Sequence, residues 1–171
     1  MKQPVIVLTL ILTGIGPALA QSQVAFSTDG SAEQLVIQTL NEASRSLDLA
    51  AYAFTSTPVA NAVYGAWRRG VKVRVLADAR YVREHKSAVS TLANLGVPVR
   101  INSRYKIQHN KFTIINNEIV QTGSLNYTKA AMIGDNAENV LVIRNEPAVS
   151  QAYLREFERL WEEGEAVTQR Y

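Results

Sequence analysis

Hydrophobic and polar positions change period several times after Ser22, and each change marks a candidate element. Ser31 followed by Gln34 matches a capping box, and Val36, Leu40, Ala43 and Leu47 then recur on one helical face. Residues 47–54 form an apolar run suited to a buried strand. Thr57-Pro58 predicts a helix start, with Thr57 as cap and Pro58 at the first helical position. Val59, Val63, Ala66 and Trp67 supply that helix's apolar stripe, and Gly70 stops it. Residues 71–76 alternate as a strand does. A helix around Ala88, Leu92 and Leu95 ends at Gly96, and residues 97–101 make a further strand. Residues 111–116, 118–122 and 139–143 are strand-like and joined by polar connections. Pro147 opens a closing helix that turns Val149, Tyr153, Phe157 and Leu160 inward and leaves Arg155, Glu156, Glu158 and Arg159 as a solvated charged face.

Strands and helices alternate early, and strands then crowd together. That order predicts an α/β fold with a mixed β-sheet flanked by helices on both faces. No linker, low-complexity tract or internal repeat is visible. The chain opens with Lys2, an apolar run over residues 5–15, and Ala18-Leu19-Ala20 before a polar Gln21. Those are the parts of a secretory signal peptide, and the run is short of the roughly 20 apolar residues a membrane span needs. The expectation is a leader over residues 1–20, cut after Ala20, and one domain over residues 21–171. That domain would be exported to the periplasm or secreted, with no stable membrane anchor. The chain carries 18 basic and 15 acidic side chains, and the leader removes only Lys2. This mild positive balance alone selects no partner. Cysteine is absent, which excludes disulfides, thiolate chemistry and cysteine zinc sites.

The chain has two histidines. His85 stands among Arg83, Glu84 and Lys86 and reads as a surface residue. His109 lies in Lys106-Ile107-Gln108-His109-Asn110-Lys111, just before an apolar strand. Residues two apart on an extended chain share a face, so His109 and Lys111 project together. Ser124 and Asn126 repeat that spacing after Gly123, which lets the backbone turn tightly or approach a ligand. The set offers one nucleophile or acid-base group, one cation and two neutral hydrogen-bonding groups, a combination suited to a phosphate.

The pattern His109-x-Lys111, four residues, Asn116, six residues, Gly123-Ser124-x-Asn126 resembles the signature of the phospholipase D superfamily. Thr122-Gly123-Ser124-Leu125-Asn126-Tyr127-Thr128-Lys129-Ala130-Ala131, Glu138-Asn139 and the Trp161-containing helix extend the resemblance to that superfamily's small exported bacterial endonucleases. One departure stands out: Asn116 occupies the position of the motif's aspartate. The amide keeps the size and an acceptor oxygen but loses the charge, which predicts activity at a reduced level.

The resemblance implies a two-step phosphoryl transfer without cofactor or metal. One His109 attacks the phosphodiester and forms a phosphohistidine, and a second His109 protonates the leaving oxygen and then activates water. Lys111, Ser124 and Asn126 cradle the phosphate, and Glu138 holds the imidazole tautomer. With one His-x-Lys and no repeat in the chain, the second histidine comes from a second subunit, which implies a homodimer with a composite site.

The resemblance favours a nucleic acid substrate, DNA or RNA. Arg100, Arg104, Lys106, Lys111 and Lys129 gather around the motif in sequence. Tyr105 and Tyr127 lie beside them, to stack on bases or to fill the core. No sequence-reading helix is apparent, so little base specificity is expected. Two alternatives stay open: a phospholipase D acting on lipid headgroups, and a nucleic-acid-binding protein whose catalysis is lost through Asn116. A Ser124-His109 hydrolase lacks the Gly-x-Ser-x-Gly elbow.

Overall fold

The computed structural model describes residues 19–83 and 87–168. The leader, apart from Leu19 and Ala20, and His85 therefore lie outside the described residues. Eight strands form one sheet in the order β1-β7-β6-β5-β2-β3-β4-β8. They are β1 (Gln21–Phe26), β2 (Ser46–Ala51), β3 (Lys72–Asp78), β4 (Val99–Asn102), β5 (Phe112–Ile115), β6 (Ile119–Gly123), β7 (Asn139–Arg144) and β8 (Glu165–Ala166). The helices are α1 (Ser31–Asn41), α2 (Thr57–Arg68), α3 (Ala88–Asn94), α4 (Lys129–Met132) and α5 (Pro147–Glu162). Strands β2, β3 and β4 pair in parallel, whereas the other pairings are antiparallel, so the sheet is mixed as the sequence predicts.

Alternation along the strands divides the core in two. Leu47, Leu49 and Ala51 of β2 and Val73, Val75 and Ala77 of β3 pack with Val36, Leu40, Val59, Val63 and Leu92 of α1, α2 and α3. The intervening Ala50 and Leu76 join Phe112 and Ile114 beneath Phe157 and Leu160 of α5. Both faces of the central strands are thus covered, which is why residues 49–51 of β2 and 75–77 of β3 are continuously apolar.

Three sequence-based expectations change, and one strand was not foreseen. The capping box at Ser31 does not form, because Gly30, at φ 77°, takes the cap position and Ser31 is the first helical residue. The Ser31 hydroxyl is bonded instead to Phe26 and Asp29. The cap of α2 is Ser56, whose Oγ accepts from Val59 N, one residue before the expected Thr57. Strand β1 escapes the periodic pattern because only Ala25 is buried along it. It is held by backbone pairing with β7, from Gln21 opposite Arg144 to Phe26 opposite Asn139. Glu158 is not simply solvated: with Asp48 it clamps Arg74, whose guanidinium lies over the rings of Phe157 and Trp161. Burial raises the Asp48 carboxyl pKa, and the hydrogen bonds from Arg74 oppose that rise.

The topology decides where chemistry can occur. The carboxyl ends of β2, β3, β4 and β6 and the amino ends of β5 and β7 all meet one edge of the sheet. In sheets with parallel strands that edge is the usual place for ligands.

Candidate active site

The residues flanking β5, β6 and β7 at this edge are those singled out in the sequence. Phe112 pairs with Thr122 and Gly123 with Val140, so Lys111, Ser124 and Glu138 stand at the ends of neighbouring strands. Gly123 is needed for that approach. A Cβ at this position would lie 2.2 Å from the Asn139 carbonyl oxygen, a clash no side chain can relieve.

His109 and Lys111 do project together. Lys111 Nζ lies 3.0 Å from His109 Nδ1 and donates to the His109 carbonyl at 2.6 Å. The ammonium also sits 5.4 Å from the centre of the Tyr52 ring. Tyr52 meets the imidazole at 4.4 Å between ring centres and 61° between planes. Partial burial, followed by the Lys111 charge, pulls the His109 pKa below the usual histidine value. Burial likewise lowers the Lys111 pKa. A neutral imidazole accepting from Lys111 at Nδ1 carries its proton on Nε2.

The backbone carrying His109 is tied down by groups the sequence reading missed. Asp78, at the end of β3, is buried and accepts from Gln108 N at 2.7 Å. Gln108, also buried, donates from Nε2 to the Ala51 carbonyl and accepts from Asn110 N through Oε1. Asp78 and Tyr52 immediately close or follow β3 and β2. Their signal was positional: a polar or aromatic residue at the carboxyl end of a parallel strand.

Across from His109, Ser124 Oγ donates to Glu138 at 2.5 Å and accepts from Asn139 N and Nδ2. Glu138 is fixed through its backbone, with its N–H donating to Ser27 Oγ and its carbonyl accepting from Ser27 N. The expected hydrogen bond from the imidazole N–H to Glu138 is not formed among the described residues. The carboxylate instead takes Ser124, while Nδ1 faces Lys111. Asn126 Oδ1 is buried and makes no hydrogen bond among the described residues.

The peripheral cations are less unified than their sequence clustering suggests. Lys106 and Lys129 are exposed. Arg104 pairs with Glu163 at 3.5 Å, and Arg100 is bound to the Trp161 carbonyl and lies against the Trp161 ring. Tyr127 is core rather than platform: it is fully buried, bonded to Thr113, and burial pushes its phenol up to about 12. Tyr105 is partly exposed, its hydroxyl bonded to Glu163 and Arg159. Among the described residues, no group of three histidine, aspartate or glutamate side chains is placed to hold a metal ion.

Asn116 is not in the site. It follows β5 at the opposite edge of the sheet, at φ 55°. Its Oδ1 accepts from Ser44 N at 3.0 Å and Arg45 N at 2.8 Å, and its Nδ2 donates to the Glu42 carbonyl at 3.0 Å. The expected loss of catalytic support therefore has no structural basis. An amide both accepts and donates here, and a carboxylate cannot do both.

The family model described as "Cardiolipin synthase, PLD-like domain" matches residues 36–161. A mitochondrial cardiolipin hydrolase from Xenopus laevis is 39% identical over 141 residues, which are 82% of this chain and 66% of that protein. A phospholipase D from Rickettsia typhi is 32% identical over 141 residues, 81% of this chain and 68% of that protein. The crystal structure of Nuc, a phospholipase D family member from Salmonella typhimurium, superposes with a TM-score of 0.85. It is 36% identical and covers 88% of this chain and 100% of its own. With the fold, the His-x-Lys and Gly-Ser-x-Asn stretches and these similarities in agreement, the chain belongs to the phospholipase D superfamily.

Proposed function

We propose that this protein is a phosphodiesterase that cuts nucleic acid with little regard to sequence, using His109 at a site completed by a second copy of the chain. The observation that carries this is the contact between His109 and Lys111 beside Ser124 and Glu138 at one edge of the sheet. Nε2 of one His109 attacks phosphorus, the phosphorus–oxygen bond to the leaving group breaks, and the second subunit's His109 gives that oxygen its proton. The second histidine then takes a proton from water as water attacks. The phosphorus–nitrogen bond breaks and a phosphomonoester leaves. Lys111, Ser124 and Asn126 offset the charge on the non-bridging oxygens, and Arg104, Lys106 and Lys129 attract the strand on either side. Attack from Nε2 needs the proton on Nδ1, so the attacking copy must release Lys111 from Nδ1, with Glu138 as the nearby carboxylate. The donating copy needs a proton on both ring nitrogens, so that giving up the one on Nε2 leaves a neutral imidazole ready to take a proton from water, and it too must release Lys111 from Nδ1.

The residues supply nucleophile, acid and charge without a metal, so cleavage should resist chelators. Export forms part of the proposal: β1 begins at Gln21, so cutting after Ala20 leaves every strand whole. Among the described residues no helix is long and apolar enough to cross a membrane.

A second reading, hydrolysis of phospholipid headgroups, is favoured by the names of the Xenopus and Rickettsia relatives. Exposed Ile107, two residues before His109, also supports it. Residues 21–171 incubated with plasmid DNA, RNA and cardiolipin vesicles, each with excess chelator, separate the two. Nucleic acid cutting that disappears in His109→Ala supports the nuclease, and headgroup release without cutting supports the lipase. Binding without either reaction would leave only a nucleic-acid-binding protein.

A further inference from the structure

Arg80 borders the site and has no part in the steps above. It follows β3 by two residues, and its side chain is 53% exposed. Nε donates to the buried Asp78 carboxylate at 3.2 Å, and Nη2 donates to the Tyr52 hydroxyl at 3.3 Å. Its guanidinium carbon lies 5.7 Å from the centre of the Tyr52 ring, the same ring that meets His109 at 4.4 Å. Tyr52 thus carries the imidazole, the Lys111 ammonium and the Arg80 guanidinium. No hydrogen bond from Nη1 is formed among the described residues, on a side chain that is about half exposed. Arg80 also lines a cavity of about 880 Å³ with Ala79, Val82, Ile101, Ser103, Glu165 and Val167.

A guanidinium braced at two of its nitrogens has lost most of its rotamer freedom and keeps an outward pair of donors, the arrangement that suits a phosphate. We propose that Arg80 binds the phosphate next to the one attacked at His109, making it a specificity residue that selects strands with successive phosphodiesters over isolated ones. This rests on the phosphodiesterase reading above. The buried Asp78 offsets part of the Arg80 charge, so the contribution is local hydrogen bonding more than distant attraction. A strand leaving His109 toward the cavity would cross Tyr52 and meet Arg80 before the groove.

The test uses residues 21–171 with a single-stranded oligonucleotide and with bis(4-nitrophenyl) phosphate, which has one diester. Arg80→Gln should lower kcat/KM on the oligonucleotide about tenfold more than on the single diester, chiefly through KM. The slope of log KM against log salt should fall by about 0.7, the value for one phosphate contact on a single strand. Arg80→Lys should restore most of the slope. Equal losses on both substrates would make Arg80 a brace for Tyr52 and overturn the proposal, as would an unchanged slope. Oligonucleotide binding to His109→Ala, with and without Arg80→Gln, reads the same slope without turnover. If the unmutated protein cuts neither substrate, the phosphodiesterase reading falls, while this binding slope still decides Arg80.

Discussion

The two ends of β5 carry motif residues of the same sequence pattern and do different work. At the amino end, His109 and Lys111 stand among Tyr52, Asp78 and Gln108, on a segment tied to the carboxyl ends of two parallel strands. At the carboxyl end, Asn116 closes a turn by bonding Ser44, Arg45 and Glu42, more than the length of a four-residue strand away. Proximity in a motif is therefore not proximity in space. One end positions reacting groups, and the other holds the sheet's far edge.

The largest effect that tests this contrast is His109→Ala, which should cut phosphodiester hydrolysis by about 10³-fold or more while leaving the melting temperature within a few degrees. A fall in stability to match would place His109 with Asn116 as a structural residue. Lys111→Ala should cost about 10²–10³-fold in kcat, the scale of one lost charge-stabilising group, measured under saturating substrate. At the other end Asn116→Ala removes two backbone partners and a donor at a left-handed position, and should destabilise by about 2 kcal/mol in thermal or urea unfolding. Its kcat/KM should stay within about twofold, since it touches nothing at the catalytic edge. Asn116→Asp loses only the donation to Glu42 and should lower the melting temperature by less, again without a rate gain.

The smallest effect is a pH shift. Burial and Lys111 hold the His109 pKa below its ordinary value, so the imidazole is mostly neutral at pH 6.5 and above. The acid limb of kcat/KM should therefore lie below pH 6.5, with rate lost as pH falls through the depressed pKa. The Asp78 charge opposes that depression, so Asp78→Asn should move the limb to still lower pH. Movement upward would contradict the assignment.

What the sequence discloses follows from distance along the chain. His109, Lys111, Ser124 and Asn126 lie on one hairpin, so spacing and period were enough to place them together. Tyr52, Asp78 and Arg80 reach the same edge only because β2 and β3 run parallel, a pairing that no local pattern encodes. Asn116 misled because motif position stands in for role, and only the turn it closes shows why an amide is there. The central strands were legible because both faces are buried. Edge strands β1 and β8, fixed by backbone pairing, and four-residue α4 offered no comparable periodicity. In the basic cluster, Arg100 lies near the motif in sequence and is engaged by α5 in space, whereas Arg104 stays exposed beside Glu163.

The central claim is that His109 is half of a shared site. Wild-type protein mixed with His109→Ala, allowed to exchange subunits and then assayed on nucleic acid with chelator, tests it most directly. If each site needs one His109 from each chain, activity falls as the square of the wild-type fraction, to about one quarter at an equal mixture. Activity falling in direct proportion, to about one half, would mean that each chain works alone and would contradict the account.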